Sequence, residues 1–132
     1  MEIKVSLNNL RVAPRKSRDV IDLIRNKTAS QARDILAFTV KRSAEPVLKL
    51  LQSAISSAVH DFKLEESQLY VARVMVDEGP KLKRSFPMSR GRAYPIMKRT
   101  SHITLILSDI PNSKSQIPNK SKKSKAKKEK VI

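Results

Sequence analysis

The chain has 132 residues, 39% of them apolar, and carries 28 Lys and Arg against 12 Asp and Glu, a formal net charge of +16. That length suits one small domain with a modest core, and the absence of cysteine excludes disulfides and every Cys-ligated zinc or iron–sulfur site. No apolar run approaches the roughly 18 residues of a membrane span, no basic-then-apolar secretory pattern opens the chain, and the excess of cations points to a polyanionic partner, nucleic acid before an acidic membrane.

Ile3, Val5 and Leu7 alternate with Lys4, Ser6 and Asn8, the period of a half-buried strand. Ala13-Pro14 opens a helix, with Pro suited to the first turn; Val20, Ile21, Leu23 and Ile24 form its apolar side and Asn26-Lys27 its end. Ser30 is the expected cap of a short second helix through Ala32, Ile35 and Leu36. A third and longest helix is expected from about Ser43 to His60, with Val47, Leu51, Ala54, Ile55, Ala58 and Phe62 at helical spacing and Pro46 in its tolerant first turn. From Tyr70 the period becomes two, so that Tyr70, Ala72, Val74 and Val76 are expected to share one strand face. A last strand follows at Ile103, Leu105 and Leu107. The expected fold class is α+β: three helices packed on a small three-stranded antiparallel sheet, with a long protruding β-hairpin arm.

The arm is read from residues 77–102, which lack any helical pattern and contain Pro80, Pro87 and Pro95. Structureless connections longer than about 12–15 residues are uncommon in compact domains. Both glycines of the chain, Gly79 and Gly91, fall in this insert, and Gly91 lies where a chain reversal is needed. The tip is therefore expected near Ser89–Ala93.

Charge is partitioned along the same lines. Residues 1–78 hold 13 basic and 10 acidic side chains, an ordinary +3. Residues 79–102 hold seven cations (Lys81, Lys83, Arg84, Arg90, Arg92, Lys98 and Arg99) and no acid, and residues 111–132 hold eight lysines and one Glu. An isolated ribbon is marginal in water, and seven uncompensated charges repel one another, so such an arm calls for an anionic receiver. The division is thus residues 1–110 as the globular domain, including the arm at 79–102, and 111–132 as a disordered Lys-rich tail that either solubilises or interacts.

Arg11, Arg15, Lys16 and Arg18 surround the start of the first helix, the end whose macrodipole favours anions, which makes a phosphate site. The competing reading is a solvated helix face with local pairs to Asp19 and Asp22. Lys41, Arg42 and Lys49 are read as ordinary surface. In the arm, Phe86 and Tyr94 interleave with Arg84, Arg90 and Arg92, which either stacks aromatics on unpaired bases or staples the two arm strands together. Two glycines exclude a Gly-rich phosphate loop or dinucleotide fingerprint. His60 and His102 lack metal-ligand spacing; His60 reads as a dipole partner at a helix end, and His102 as a hydrogen-bonded structural residue or an RNA contact. The expectation is a chain without catalytic residues, metal or cofactor.

Several runs carry a family resemblance. Val76-Asp77-Glu78-Gly79-Pro80, Leu82-Lys83-Arg84, Arg90-Gly91-Arg92-Ala93 and Lys98-Arg99-Thr100-Ser101-His102-Ile103-Thr104 closely resemble the bacterial-type large-subunit ribosomal protein family numbered twenty-two. Leu10-Arg11-Val12-Ala13-Pro14-Arg15-Lys16, Asp22-Leu23-Ile24-Arg25 and the helix ending at His60 look like the same family, so that the resemblance covers about residues 5–109. It implies a structural ribosomal protein in the cytoplasm, an organellar ribosome remaining open. Its partners would be 23S-type rRNA, neighbouring large-subunit proteins and the nascent chain, and it would assist assembly. By position, Arg11, Arg15, Lys16, Arg18, Lys81, Lys83, Arg84, Arg90, Arg92, Lys98, Arg99 and His102 would bind rRNA. Met88, Ser89, Arg90, Gly91, Arg92 and Ala93 would form a tip lining the peptide exit tunnel. The sequence departs from the family pattern at Met88 and at Tyr94-Pro95, where a basic residue and Asp-Arg are common. A free-standing basic nucleic-acid-binding or chaperone-like protein is the runner-up, and an RNA-directed enzyme a distant third.

Overall fold

A computed structural model describes residues 1–109; the Lys-rich tail lies outside them. In chain order the elements are β1 (Glu2–Leu10), α1 (Pro14–Ile24), α2 (Ala29–Phe38), α3 (Ala44–Phe62), β2 (Leu69–Glu78), β3 (Leu82–Pro87), β4 (Ala93–Lys98) and β5 (Ser101–Asp109), with short 3-10 turns at Glu66–Gln68 and Ser89–Gly91. The class is α+β. Five antiparallel strands form two sheets, one ordered β1-β5-β2 and the other made of β3 and β4 alone.

The core follows from register. Ile3 pairs with Leu107, Val5 with Leu105 and Leu7 with Ile103; on the other side of β5, Leu107 pairs with Val71, Leu105 with Val74 and Ile103 with Val76. Each rung therefore presents three aliphatic side chains to the same face, and the helices cover that face: α3 lies on β1 and β5, α1 on β2, and α2 bridges the other helices. Val20, Ile21 and Ile24 of α1, Leu36 of α2, and Val47, Leu51, Ala54 and Ala58 of α3 complete the cluster with essentially no exposure. Full burial of each Leu, Ile or Val stabilises by about 1.5–3 kcal/mol.

Three sequence expectations need correction. Tyr70 and Ala72 do not join Val74 and Val76 on the core face, because a β-bulge lies between Val71 and Arg73. The extra residue shifts the alternation by one, so that Leu69 and Val71 are buried before it and Val74 after it. The cap of α2 is Thr28 rather than Ser30: its side-chain oxygen accepts from the Gln31 amide, 3.3 Å away, and the helix starts one residue earlier than Ser30. That start buries Ala29 and Ala32 together. On α3, Phe62 is 40% exposed, because the helix ends there with Lys63 in the left-handed region, while Leu50, about three turns earlier, is buried.

Connections are tied to the sheet. Asn26, also left-handed, turns the chain after α1, and the Val71 amide donates to the Lys27 carbonyl at 2.9 Å. Arg18 and Arg25 of the α1 region donate to the carbonyls of Val76 and Val74 at 3.3 and 3.2 Å, fastening that helix along β2.

Candidate nucleic-acid interface

The β3–β4 ribbon joins the sheet through a clamp of small groups. The Gly79 amide donates to the Thr100 carbonyl at 2.9 Å, and the hydroxyl of the buried Thr100 donates to the Pro80 carbonyl at 2.7 Å. A Cβ at Gly79 would run into the Thr100 hydroxyl and sit 3.2 Å from His102 Nε2. This close approach is why a glycine stands in the Asp-Glu-Gly-Pro run. His102 Nδ1 accepts from the Asn9 amide at 3.2 Å. That bond holds the irregular end of β1, where Asn9 has φ +57° and the register shifts between Leu7 and Leu10. The hydrogen-bonded role of His102 is thus present in the fold.

Beyond the clamp, Leu82 pairs with Lys98, Lys83 with Met97, Arg84 with Ile96, Ser85 with Pro95, Phe86 with Tyr94 and Pro87 with Ala93. Residues opposite one another in an antiparallel pair share a face, which gives the ribbon two different faces. One carries Leu82, Arg84, Phe86, Tyr94, Ile96 and Lys98, and the other Lys83, Ser85, Pro87, Ala93, Pro95 and Met97. The stapling of Phe86 by Tyr94 is what the register shows, yet each ring keeps about half its surface, 53% and 54%, open. The Met88 amide donates to the Arg92 carbonyl at 2.8 Å. Since hydrogen-bonded and non-bonded pairs alternate, Pro87 and Pro95 fall at non-bonded positions and remove donors only from the ribbon's outer edges. Those edges are thereby blunted against pairing with another strand.

The tip reverses through Arg90 (φ 59°, ψ 34°) and Gly91 (φ +70°), closed by the Arg92 amide on the Ser89 carbonyl. Two successive residues at positive φ match the twist of a two-stranded ribbon. Among the described residues no atom lies within 4 Å of where a Cβ on Gly91 would sit, so the glycine serves the backbone angle rather than packing.

The cations expected to act together are distributed unevenly. Among the described residues, Lys81 pairs with Glu78 at 3.3 Å, while Lys83, Arg84, Arg90, Arg92, Lys98 and Arg99 have no carboxylate within 4.0 Å. At the first helix, Arg11 and Lys16 line an open concavity, Arg15 is exposed, and Arg18 turns to β2. Of the local pairs weighed for this helix, Asp22 makes one, with Arg25 at 3.0 Å, and Asp19 lies 3.7 Å from Lys41; among the described residues neither pairs with Arg11, Arg15, Lys16 or Arg18. Arg42, read from sequence as plain surface, lines the same concavity as Arg11 and a second one at the ribbon base. No local pattern in the sequence marks it, because Arg11 and Arg99 are distant in sequence and meet it only in the folded chain. Among the described residues no group of three or more His, Asp or Glu side chains is arranged to hold a metal, and no helix is long and apolar enough to cross a membrane.

Such a body, with its charge exported to a clamped ribbon, defines a small basic scaffold protein. The family model described as ribosomal protein L22p/L17e matches residues 5–108. The chain is 53% identical over 109 residues to large ribosomal subunit protein uL22 of Mesoplasma florum, covering 83% of this chain and 97% of that protein. It is 51% identical to uL22 of Thermus thermophilus, covering 83% and 96%, and 51% identical to that of a Phytoplasma species, covering 83% and 84%. The chain belongs to the ribosomal protein L22p/L17e family, and is a structural, non-enzymatic constituent of the large ribosomal subunit in the cytoplasm.

Proposed function

We propose that this chain binds large-subunit rRNA through its ribbon and ribbon base, and that the ribbon tip lines the nascent-peptide exit tunnel. The observation that carries the reading is the ribbon itself: it buries almost nothing, and six of its seven cations lack an acidic partner among the described residues. Residues 81–99 contribute little to the core, and their mutual repulsion is relieved when phosphates receive them. Arg84, Lys98, Phe86 and Tyr94 on one face combine phosphate pairing with stacking surface, the combination that holds unpaired RNA. Lys81, Lys83, Arg90, Arg92, Arg99, Arg11, Arg15 and Lys16 extend the phosphate contacts. Arg18 and His102 join the set while also serving the fold, through Val76 and Asn9 respectively.

In this reading residues 1–78 with β5 form the docking body, beside neighbouring large-subunit proteins, and RNA contacts made along the ribbon assist assembly. Met88, Ser89, Arg90, Gly91, Arg92 and Ala93 reach the nascent chain. The chain contains no cysteine, so Ala93→Cys gives the free protein a single attachment point for a photocrosslinker before it is assembled into ribosomes. Crosslinks to nascent chains are expected; their consistent absence, with the subunit otherwise assembled, would remove the tip from the tunnel.

A further inference from the structure

Two adjoining concavities meet where the ribbon joins the body. One is lined by Arg11, Lys16, Lys41 and Arg42, the other by Arg11, Arg42, Lys98 and Arg99. Arg11 and Arg42 belong to both, so six cations surround the joined groove: four from three connections, together with Lys16 of α1 and Lys98 at the end of β4. Those connections are β1–α1, α2–α3 and β4–β5. Among the described residues that line the groove the only acid is Asp19, which lies 3.7 Å from Lys41. Leu82 and Met97 contribute an apolar wall.

The segment that carries Arg42 is fastened in place. Ser43 occupies the N-cap position of α3 but makes no side-chain cap. This buried residue instead donates its hydroxyl to the Lys16 carbonyl on α1, at 3.4 Å. The Ala44 amide closes the turn on the Lys41 carbonyl at 2.8 Å. A hydroxyl at this position ordinarily satisfies the helix's own amides; here it docks the α2–α3 connection against the first helix and fixes Arg42 beside Arg11. Among the described residues Arg42 is exposed and has no carboxylate within 4.0 Å.

We propose that this groove seats the phosphodiester backbone of an RNA strand, with Arg42 as one of its phosphate ligands beside Arg11 and Arg99. A single small anion needs two or three cations. A groove lined by six, running from the helix connections to the ribbon base, fits a chain of phosphates. The guanidinium groups suit phosphate oxygens, which they contact through two parallel N–H donors. The assignment rests on the RNA-binding reading above and adds to it a site where the body meets the base of the ribbon, with Arg42 contributed by the body.

The test compares full-length wild type, Arg42→Gln, Arg42→Lys and Lys49→Gln for binding to a 23S-type rRNA transcript across a salt series. Lys49 is an exposed control, already paired with Glu45 at 2.8 Å. Arg42→Gln should lower the log–log salt slope by about 0.7–0.9, Arg42→Lys should restore it, and Lys49→Gln should match wild type. Cooperative unfolding of all four proteins, with at most a small loss in Lys49→Gln from its pair with Glu45, would show that the fold is intact. If Arg42→Gln behaves as Lys49→Gln does, the groove is not a phosphate site, while the ribbon reading stands. If wild type itself binds the transcript without salt dependence, the RNA reading fails as a whole. Equally tight binding of poly-glutamate, with the same weakening in Arg42→Gln, would overturn the choice of an RNA backbone over an acidic polypeptide.

Discussion

The body and the ribbon of this chain obey different physics. In the body, each strand rung adds an aliphatic side chain to a face closed by three helices, and the charges roughly balance. Among the described residues, Leu82 alone of the ribbon strands is partly buried, those strands pair only with each other, and their cations stand without acids among them. The body is held by what it excludes from water and the ribbon by two strands, a proline-guarded edge and a turn. Stability and recognition are therefore carried by different residues and separate under mutation.

The largest effect should come from the middle of the body. Leu105, on the central strand and fully buried between Val5 and Val74, is expected to reduce stability by about 2–5 kcal/mol when truncated in Leu105→Ala. Urea unfolding of the free protein reads that change. At the joint, Gly79→Ala forces the new Cβ against Thr100 and within 3.2 Å of His102; overpacking of this kind costs about 1–3 kcal/mol. Its signature is reduced amide protection at Gly79 and Thr100 before the body opens, and a uniform reduction would mean that joint and body unfold together. At the tip, Gly91→Ala meets no neighbour but keeps φ near +70°, a strain of about 1–2 kcal/mol. It should loosen residues 87–93 by hydrogen exchange and leave the unfolding midpoint of the body unchanged.

The smallest effect lies on α3. The Lys49 ammonium donates to Glu45 and holds its carboxyl below the usual carboxylate range, by hydrogen bond first and charge second. A lowered folded pKa gives stability that is present at neutral pH and lost as pH falls through that lowered value. The melting difference between wild type and Lys49→Gln should accordingly be small at neutral pH, as befits an exposed i,i+4 pair, and vanish in acid. A difference that persists in acid would mean packing of the lysine stem, not the ion pair.

Much of this was legible in the sequence because it depends on period and punctuation. The alternation of Ile3, Val5 and Leu7, the stripe on α3, and the gathering of glycine, proline and charge between Val76 and Ile103 all mark local structure that tertiary context did not overturn. What escaped were decisions made by packing. Tyr70, Ala72, Val74 and Val76 read as an unbroken alternation, and only pairing with β5 reveals the bulge that moves Leu69 and Val71 inward. Ser30 is the cap that the sequence suggests, and the burial of Ala29 selects Thr28 in its place. Arg18 looks like another free cation beside the first helix, yet its guanidinium is drawn to a strand carbonyl. Arg42 had no local signature, since its neighbours Arg11 and Arg99 are distant in sequence and meet it only through the fold. The family's motifs, by contrast, were continuous runs and survived intact: Gly79, Thr100 and His102 turn out to be the parts of one joint.

The separation of folding from recognition is tested most directly by neutralising Lys83, Arg84, Lys98 and Arg99 together to Gln and measuring rRNA binding against salt beside thermal unfolding. Among the described residues, none of the four has an acidic partner or a place in the core. The account predicts an unchanged melting temperature and a log–log salt slope smaller by about 3, at about 0.7–0.9 for each phosphate that is no longer neutralised. An unchanged slope, or a body that no longer folds, would contradict it.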